Sequence, residues 1–527
     1  MRKALIAKYL AFAWLLFAAD AHAIDFKISG EWLMGFGAGT GELYSHYKDP
    51  GDTRKNRTNA NDTFQASQRL RLQLEAAASE NLSGTFSVEI GDQRWGKAED
   101  GAALGADGRH EIKVKNAYID FALPDAPLAV RMGLQGVALP NAAGGSSIMD
   151  ADVAAIVATY AFNENISLTA TWMRPVNDNF HSGYFNPWGD RSAGYLDNMD
   201  LWAISLPLKF DGYEITPWAM YGILGRNALR GLEPVNYSDP WETSDGILGL
   251  TIPGLTPGMN FADRTPLTSS ETANTYGNMV WAGLPLVVSS FDPWHFELDL
   301  NYGYVEGMGK YNIIKRGDEN DIVRGDTRRE GWLIKALAEY KLDWATPGVF
   351  AWYASGDDGN VKNGSERMPS IAGAGNFTSF IGDGDLAWGP FDDSCDWSMS
   401  YAGTWGVGIQ LKDISFLENL THTFRAALWN GTNSPSMVKY MTSAWSWREG
   451  YGGDGPYLTT NDSLLEFNLL NRFELYENFE INLDLGYVVN MYDQGTWQRS
   501  GYYNGSGNGN FEKQDAWKAQ LIFAYNF

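Results

Sequence analysis

Charged and amide side chains recur in this sequence at every second position of runs that are otherwise apolar. Arg69, Arg71 and Gln73 alternate with Leu70, Leu72 and Leu74, and Arg131 and Gln135 alternate with Val130, Met132 and Leu134. Glu89, Glu297, Asp299, Glu466, Arg472, Glu480 and Asp484 fall in runs of the same kind. Such groups carry out no covalent step by themselves. Facing a shared aqueous space, they would act on ions and polar solutes through field and hydrogen bond.

Covalent catalysis would need a nucleophile held against a base. Beyond residue 23 the histidines are His46, His110, His181, His295 and His422, and none of G-x-S-x-G, H-E-x-x-H, a Walker loop or C-x-x-C occurs. His295 and His422 lie inside strand patterns and read as wall residues. The acidic runs Asp357-Asp358, Asp383 to Asp385 and Asp392-Asp393 offer hard oxygen ligands that suit calcium, but their spacing matches no EF-hand, and solvated loops are the simpler reading. Cys395 is the only cysteine, so no intramolecular disulfide can form, and nothing basic flanks it to activate the thiol. No enzyme, cofactor or metal is expected.

The residues that must position these groups begin with an export signal. Arg2, Lys3 and Lys8 precede an apolar run from Tyr9 to Ala19, and Ala21-His22-Ala23 supplies small residues for cleavage, the pattern of a secretory signal over residues 1–23. The run is well short of the roughly 20 residues that a spanning helix requires. Residues 24–527 are expected to form one domain, because no Pro-rich, Ser-rich or charge-block linker divides them. Losing the leader removes three of the 40 basic residues and one of the 64 acidic ones, which leaves a net charge near −26. Nucleic acid is excluded as a partner on that balance.

Period two dominates the rest, and the fold class is all-β. From Trp517 to Phe527 the odd positions are Trp, Ala, Leu, Phe, Tyr and Phe; Phe479 to Val489 and Trp294 to Tyr304 repeat the pattern. These runs match the roughly 9–11 residues of a tilted transmembrane strand. Eight short turns are expected, near Ser79-Glu80-Asn81, Pro124-Asp125, Asn163 to Asn165, Asp211-Gly212, Ser289 to Pro293, Trp344 to Pro347, Asp413 to Asn419 and Tyr476 to Asn478. Nine longer polar segments alternate with them: 37–64, 92–111, 136–151, 174–198, 223–277, 307–329, 357–397, 431–462 and 493–515. The longest, 223–277, reads as a loop rather than a small inserted domain. Short turns on one side and long loops on the other describe a transmembrane antiparallel barrel of about 18 strands, with 16 as the alternative.

Closure turns the polar face inward, and a barrel this wide cannot be filled by its own side chains. A wet lumen lined by the alternating polar residues is therefore expected. One strand departs from the rule, since Val153, Ala155, Val157 and Ala161 make its second face apolar. The expectation is that Ala138 to Asp152, including Asn141, folds inward and narrows the lumen, bringing Asp150 and Asp152 toward Arg69, Arg71 and Arg131. The other reading leaves these charges on a wetted wall and the apolar face at a subunit contact.

The leader, the Leu70 to Ile90 hairpin, the segment Val130 to Ser147 with Leu139-Pro140-Asn141-Ala142-Ala143-Gly144-Gly145, and the terminal Phe together resemble the homotrimeric outer-membrane porins of Desulfovibrio-type sulfate reducers. The resemblance covers essentially the whole mature chain and implies a homotrimer and diffusion of small hydrophilic solutes. A last strand carrying Tyr525 and Phe527 is similar to the signal by which many unrelated barrels engage the barrel-assembly machinery. The expected function is a passive porin in the outer membrane of a Gram-negative bacterium, in contact with lipid and lipopolysaccharide. A substrate-selective channel, or a non-conducting adhesin or structural barrel, are the alternatives.

Overall fold

The computed structural model describes residues 24–39, 63–96, 112–177, 198–225, 259–260, 265–266, 276–316, 318–373, 375–379, 401–441, 457–498 and 515–527. The leader, Cys395, Asp383 to Asp385, Asp392-Asp393, His46, His110 and His181 lie outside them. Among the described residues, eighteen antiparallel strands close into one barrel. In chain order they are β1 Asp25–Gly39, β2 Thr63–Ser79, β3 Leu82–Arg94, β4 Ile112–Ala122, β5 Leu128–Ala138, β6 Asp150–Ala161, β7 Ser167–Asn177, β8 Asn198–Ser205 with Leu208–Phe210, β9 Tyr213–Ile215 with Trp218–Gly225, β10 Tyr276–Phe291, β11 Trp294–Val305, β12 Arg329–Tyr340, β13 Thr346–Ala354, β14 Thr404–Leu417, β15 Leu420–Gly431, β16 Ser463–Tyr476, β17 Phe479–Asn490 and β18 Ala516–Asn526.

Each strand pairs with its sequence neighbours, and β1 pairs with β18 from Glu31 opposite Asn526 to Gly39 opposite Lys518. Two further bonds extend that seam, Gly30 N to Phe527 O at 2.8 Å and Phe527 N to Gly30 O at 3.0 Å. Closure leaves no open sheet edge, which hydrocarbon would not tolerate. Pro207 and Pro217 interrupt β8 and β9, because proline has no N–H for the ladder. Their carbonyls still accept, from Ser167 N at 3.2 Å and Leu206 N at 3.0 Å.

The short turns fall where period two places them, with two adjustments. The turn expected over Ser289 to Pro293 is only Asp292-Pro293, and that over Asp413 to Asn419 is only Glu418-Asn419, because the strands run on through the polar residues between. Asn419 takes a left-handed φ of 62° at that turn, a conformation asparagine tolerates. The 307–329 segment is not featureless either: Lys310–Lys315 pairs with Asp318–Asp326 as a hairpin beyond the barrel wall.

Alternation sorts the wall into two faces. Leu483 is 41% exposed on the outside while Asp484 beside it is 5% exposed and turned inward. Outward aromatics at the short-turn ends, Phe162, Phe210, Phe291, Trp344 and Tyr476, are all exposed and form one girdle. At the loop ends the outward face turns polar. Tyr302 donates to Glu330 at 2.8 Å, Tyr487 to Asp515 at 2.7 Å, and Arg174 grips Asp200 at 2.8 and 3.0 Å.

The lumen is not polar throughout, which corrects the expectation. Its loop-side half is a buried apolar core in which inward side chains such as Met173, Leu201, Trp281, Phe350, Trp352 and Trp429 pack against infolded loop residues. Flat rings need room on the wall, and inward glycines supply it. Trp352 lies over Gly406, Phe350 over Gly408 and Trp218 over Gly283, where a methyl group would collide with each ring. β6 was the one strand whose apolar inner face was visible beforehand; the same need for a cover extends to β7 through β10, β13 and β15.

The outward face sets a measurable cost. Leu298→Arg, an outward position midway along β11, is expected to destabilise the folded barrel in lipid by about 2–4 kcal/mol, read from urea titration of intrinsic fluorescence. A cost under about 0.5 kcal/mol would mean that this face does not meet hydrocarbon.

Candidate functional site

The narrowing element is the connection between β5 and β6. Leu139 N bonds Met149 O at 3.0 Å, and Ser146 Oγ donates to Met149 O at 2.7 Å, so the base of the segment is pinned. Its tip reaches strands six positions around the barrel. Ala142 N donates to Asp299 Oδ2 at 3.2 Å, Lys335 Nζ to Gly145 O at 2.6 Å, and Tyr401 OH to Gly144 O at 2.9 Å. Gly144 and Gly145 have φ of 60° and 80°, a region that glycine enters without strain. Asp299 and Lys335 sit opposite each other on β11 and β12, 3.2 Å apart and fully buried.

A second infolded segment, from Ser355 to Ser379, locks onto the first. Ile371 N bonds Ile148 O at 2.9 Å and Asp150 N bonds Ala372 O at 2.7 Å. The wall holds this segment through its backbone: Arg329 donates to the carbonyls of Arg367 and Met368 at 3.0 and 2.8 Å, and Trp281 Nε1 to that of Pro369 at 3.0 Å. Asp357 anchors it internally, accepting from Ser365 Oγ at 2.7 Å and Tyr457 OH at 2.8 Å. Among the described residues no group of three or more His, Cys, Asp or Glu side chains is placed to hold a metal.

Several of the inward charges meet an opposite charge on a neighbouring strand. Arg71 faces Glu89 at 2.7 Å and Glu31 at 3.6 Å, and Arg69 also reaches Glu89 at 3.9 Å. Arg131 makes two bonds to Asp120, at 2.7 and 3.0 Å, and lies over the Tyr118 ring at 4.2 Å. Glu297 meets His295 at 3.0 Å, Glu466 accepts from Trp429 Nε1 at 3.0 Å, and Arg472 pairs with Glu480. Gln135 is buried and donates to Ala155 O at 3.0 Å. His422 bonds Asn471 at 2.7 Å as a wall residue.

The expected transverse field is not present. Asp150 and Asp152 share a face with Ile156 and Tyr160, the outward one, and Asp152 accepts from Lys115 at 2.6 Å and Asn116 at 2.9 Å. Arg69, Arg71 and Arg131 are instead met by carboxylates on neighbouring strands. Among the described residues Asn141 bonds within its own segment, donating to Leu139 O at 3.3 Å. The segment does fold inward, but it presents backbone and small apolar side chains rather than acid. Asp120, Lys335 and Tyr401 were missed. The β4 to β5 register that pairs Asp120 with Arg131 is centred one residue beyond the expected Pro124-Asp125 turn, which by itself would set Tyr118 opposite Arg131; nothing local marks Lys335 as a partner of Gly145.

Below the infolded segments the lumen opens into two recesses on the short-turn side. One, of about 540 Å³, lies against β3 to β9 and is lined by Asp120, Arg131, Thr159, Thr169, Thr171 and Trp218 among others. The other, of about 440 Å³, lies against β14 to β18 and β1 and carries Glu31, Asp413, Arg425, Arg472, Glu480 and Asp484.

No protein-family model matches the chain, and no curated protein matches its sequence. Solved structures of similar shape include Pseudomonas aeruginosa OccK9 (OpdG), at 10% identity over 95% of this chain and 98% of that one with a TM-score of 0.49. P. aeruginosa OccK11 (OpdR) is similar at 10% identity over 95% and 96%, TM-score 0.45. P. aeruginosa OpdK with vanillate is similar at 7% identity over 95% and 98%, TM-score 0.46. At these values the likeness carries no functional argument, and the barrel stands on its own strand pairing.

The anchors of the two segments generate two expectations. Lys335→Met leaves Asp299 buried without its counter-charge, a loss of about 3–5 kcal/mol for such pairs. It should free the Ala142 to Gly145 tip and raise its hydrogen exchange. The double variant Asp299→Asn/Lys335→Met should recover stability while the tip, still lacking the bond to Gly145 O, stays loose, and unchanged exchange in the single variant would show that Lys335 does not hold the segment.

Glu366, on the second segment, is pushed up to about 7 by burial and by the neighbouring Asp357 and Asp358 carboxylates. The folded segment thus keeps a proton that the released one gives up, so its stability falls as pH rises from about 4.5 to about 7 and then levels off. Protection of residues 355–379 from hydrogen exchange should follow that slope after correction for intrinsic rates. Glu366→Gln should flatten it, and a slope that survives the substitution would assign it elsewhere.

Proposed function

We propose that the chain is a channel in the outer membrane of a Gram-negative bacterium, through which small hydrophilic solutes diffuse without covalent change. One observation carries this reading: a closed barrel whose outer surface is apolar encloses two recesses lined by ionised and hydroxyl side chains. An apolar belt bounded by aromatics on one side and by polar pairs on the other fits a bilayer. A hydrated, two-signed wall fits passage of polar solutes. Because the Leu139 to Met149 and Ser355 to Ser379 segments are bonded to the wall, passage past them is narrow. Their fixed anchoring also favours a second reading, a channel selective for one solute class.

Assembly follows the same logic. The terminal Tyr525 and Phe527 rings stack at 5.6 Å, and Phe527 closes the seam at Gly30, so the strand that would meet the assembly machinery is also the one that completes the barrel. Lipopolysaccharide is the proposed neighbour of the polar outward rim, and a homotrimer the proposed assembly.

Reconstituting the detergent-purified protein in planar bilayers should give stepwise conductance, smaller than that of a variant lacking residues 140–148. Solute-dependent, saturable reduction of that current would favour the selective channel over the general one. A folded protein that never conducts would overturn both and leave an adhesin or structural barrel.

A further inference from the structure

We infer that the lumen wall from β5 to β9 is a binding track for neutral, multiply hydroxylated solutes, separate from a track for ions on the β14 to β1 wall. This rests on the channel reading. Strand register places Thr159 opposite Thr169, Thr169 opposite Ser205, and Ser205 opposite Trp218. Three hydroxyls and an indole thus stand in one row across four strands at one height of the lumen. Thr159 and Thr169 are within hydrogen-bond distance, at 3.0 Å. The row above adds Thr171 between Val157 and Ala203, and the next is the dry row Ala155, Met173 and Leu201 beneath the infolded segment.

From β4 to β9 the wall of this recess carries one matched pair of charges, and the other charged residue lining it is Glu80, on the β2 to β3 turn. Arg131 spends two N–H groups on the two Asp120 oxygens and its face on Tyr118. An ion leaving water for this surface would lose hydration without gaining a free counter-charge. A polyol would not, because each wall hydroxyl both donates and accepts and can meet solute hydroxyls in any orientation. Val157, Met173, Ala203 and Trp218 line the same recess. They give the C–H face of a sugar-like ring an apolar surface to lie on. The recess volume, about 540 Å³, suits a solute of that size.

The opposite recess has a different chemistry. Glu31, Asp413, Arg425, Arg472, Glu480 and Asp484 crowd its wall with both signs. These side chains pair among themselves, as Arg472 does with Glu480, but six charged groups of both signs line this recess against three in the other, so an ion meets a stronger field here. A solute entering from either side therefore meets two surfaces in parallel, sorted by charge.

The test uses the full-length protein in proteoliposomes, with glucose as the neutral probe, gluconate as a charged probe of similar size, and potassium chloride conductance as the reference. The Thr159→Val/Thr169→Val/Ser205→Ala variant keeps side-chain shape and removes three hydroxyls. It should lower glucose entry by about three- to tenfold while gluconate entry and conductance stay within about twofold, given what a few net hydrogen bonds contribute. Heat-modifiable gel mobility checks that it is folded. Independently of any variant, glucose should reduce the wild-type current saturably, and gluconate should not. Equal loss of glucose and gluconate entry, or no loss of either, overturns the track while leaving the channel reading intact. A wild-type protein that passes neither salt nor glucose overturns the channel reading itself.

Discussion

Every feature of this molecule follows from the need of backbone N–H and C=O groups in hydrocarbon to find partners within the chain. The β1 to β18 seam meets that need, and Gly30 and Phe527 carry it to the last residue. Once the sheet is closed, alternation leaves no freedom: a shift of one residue would move Arg71 and Asp484 to lipid and Leu72 and Leu483 to the lumen. The charged residues therefore specify register as firmly as the apolar ones do, and cross-strand pairs such as Glu31, Arg71 and Glu89 add a preferred alignment.

Closure creates a second problem, since a sheet of eighteen strands encloses more space than its inward side chains can occupy. Loop residues fill the upper part of that space. An infolded segment brings its backbone polar groups with it, and these must be satisfied inside the barrel. Asp299, Lys335, Tyr401 and Arg329 do this, each bonding main chain of an infolded segment. The Asp299 and Lys335 pair offsets two buried charges and supplies both a donor and an acceptor to one short stretch of loop. Burying such a pair is weak evidence for added stability. Its role here is to choose where the Ala142 to Gly145 tip rests.

Strands, most turns and faces were legible in the sequence because each is a local property, and the expected infold of 138–152 is met over residues 139–149, between the two strands. Period two needs only a dozen residues, and a turn needs two or three. Hairpin partners such as Arg71 and Glu89 are nearly as local, since equal distances from one turn place them together. The contacts that hold the infolded segments are of another kind: Lys335 and Gly145 are 190 residues apart, and Tyr401 and Gly144 are 257 apart. Only the arrangement of strands around the barrel brings them within reach. Asp150 and Asp152 lie outside the lumen for a different reason. β6 begins at Asp150, and its alternation turns both of them outward with Ile156.

The dry half of the lumen was also within reach of the sequence, had the inward residues been read as a series of their own. Along β15 they are Thr421, Thr423, Arg425, Ala427 and Trp429, and along β7 they are Thr169, Thr171 and Met173. Each series starts polar at the short-turn end and becomes apolar toward the loops. On β13 the inward residues nearest the loops are Phe350, Trp352 and Ala354. A wall exposed to water along its whole height would have no reason to change polarity at one level. The change marks the height at which water gives way to packed loop, and it falls within a residue or two of the same level on several strands. The polar part of the wall is therefore the part that borders the two recesses, and the apolar part is the one that the infolded segments pack against.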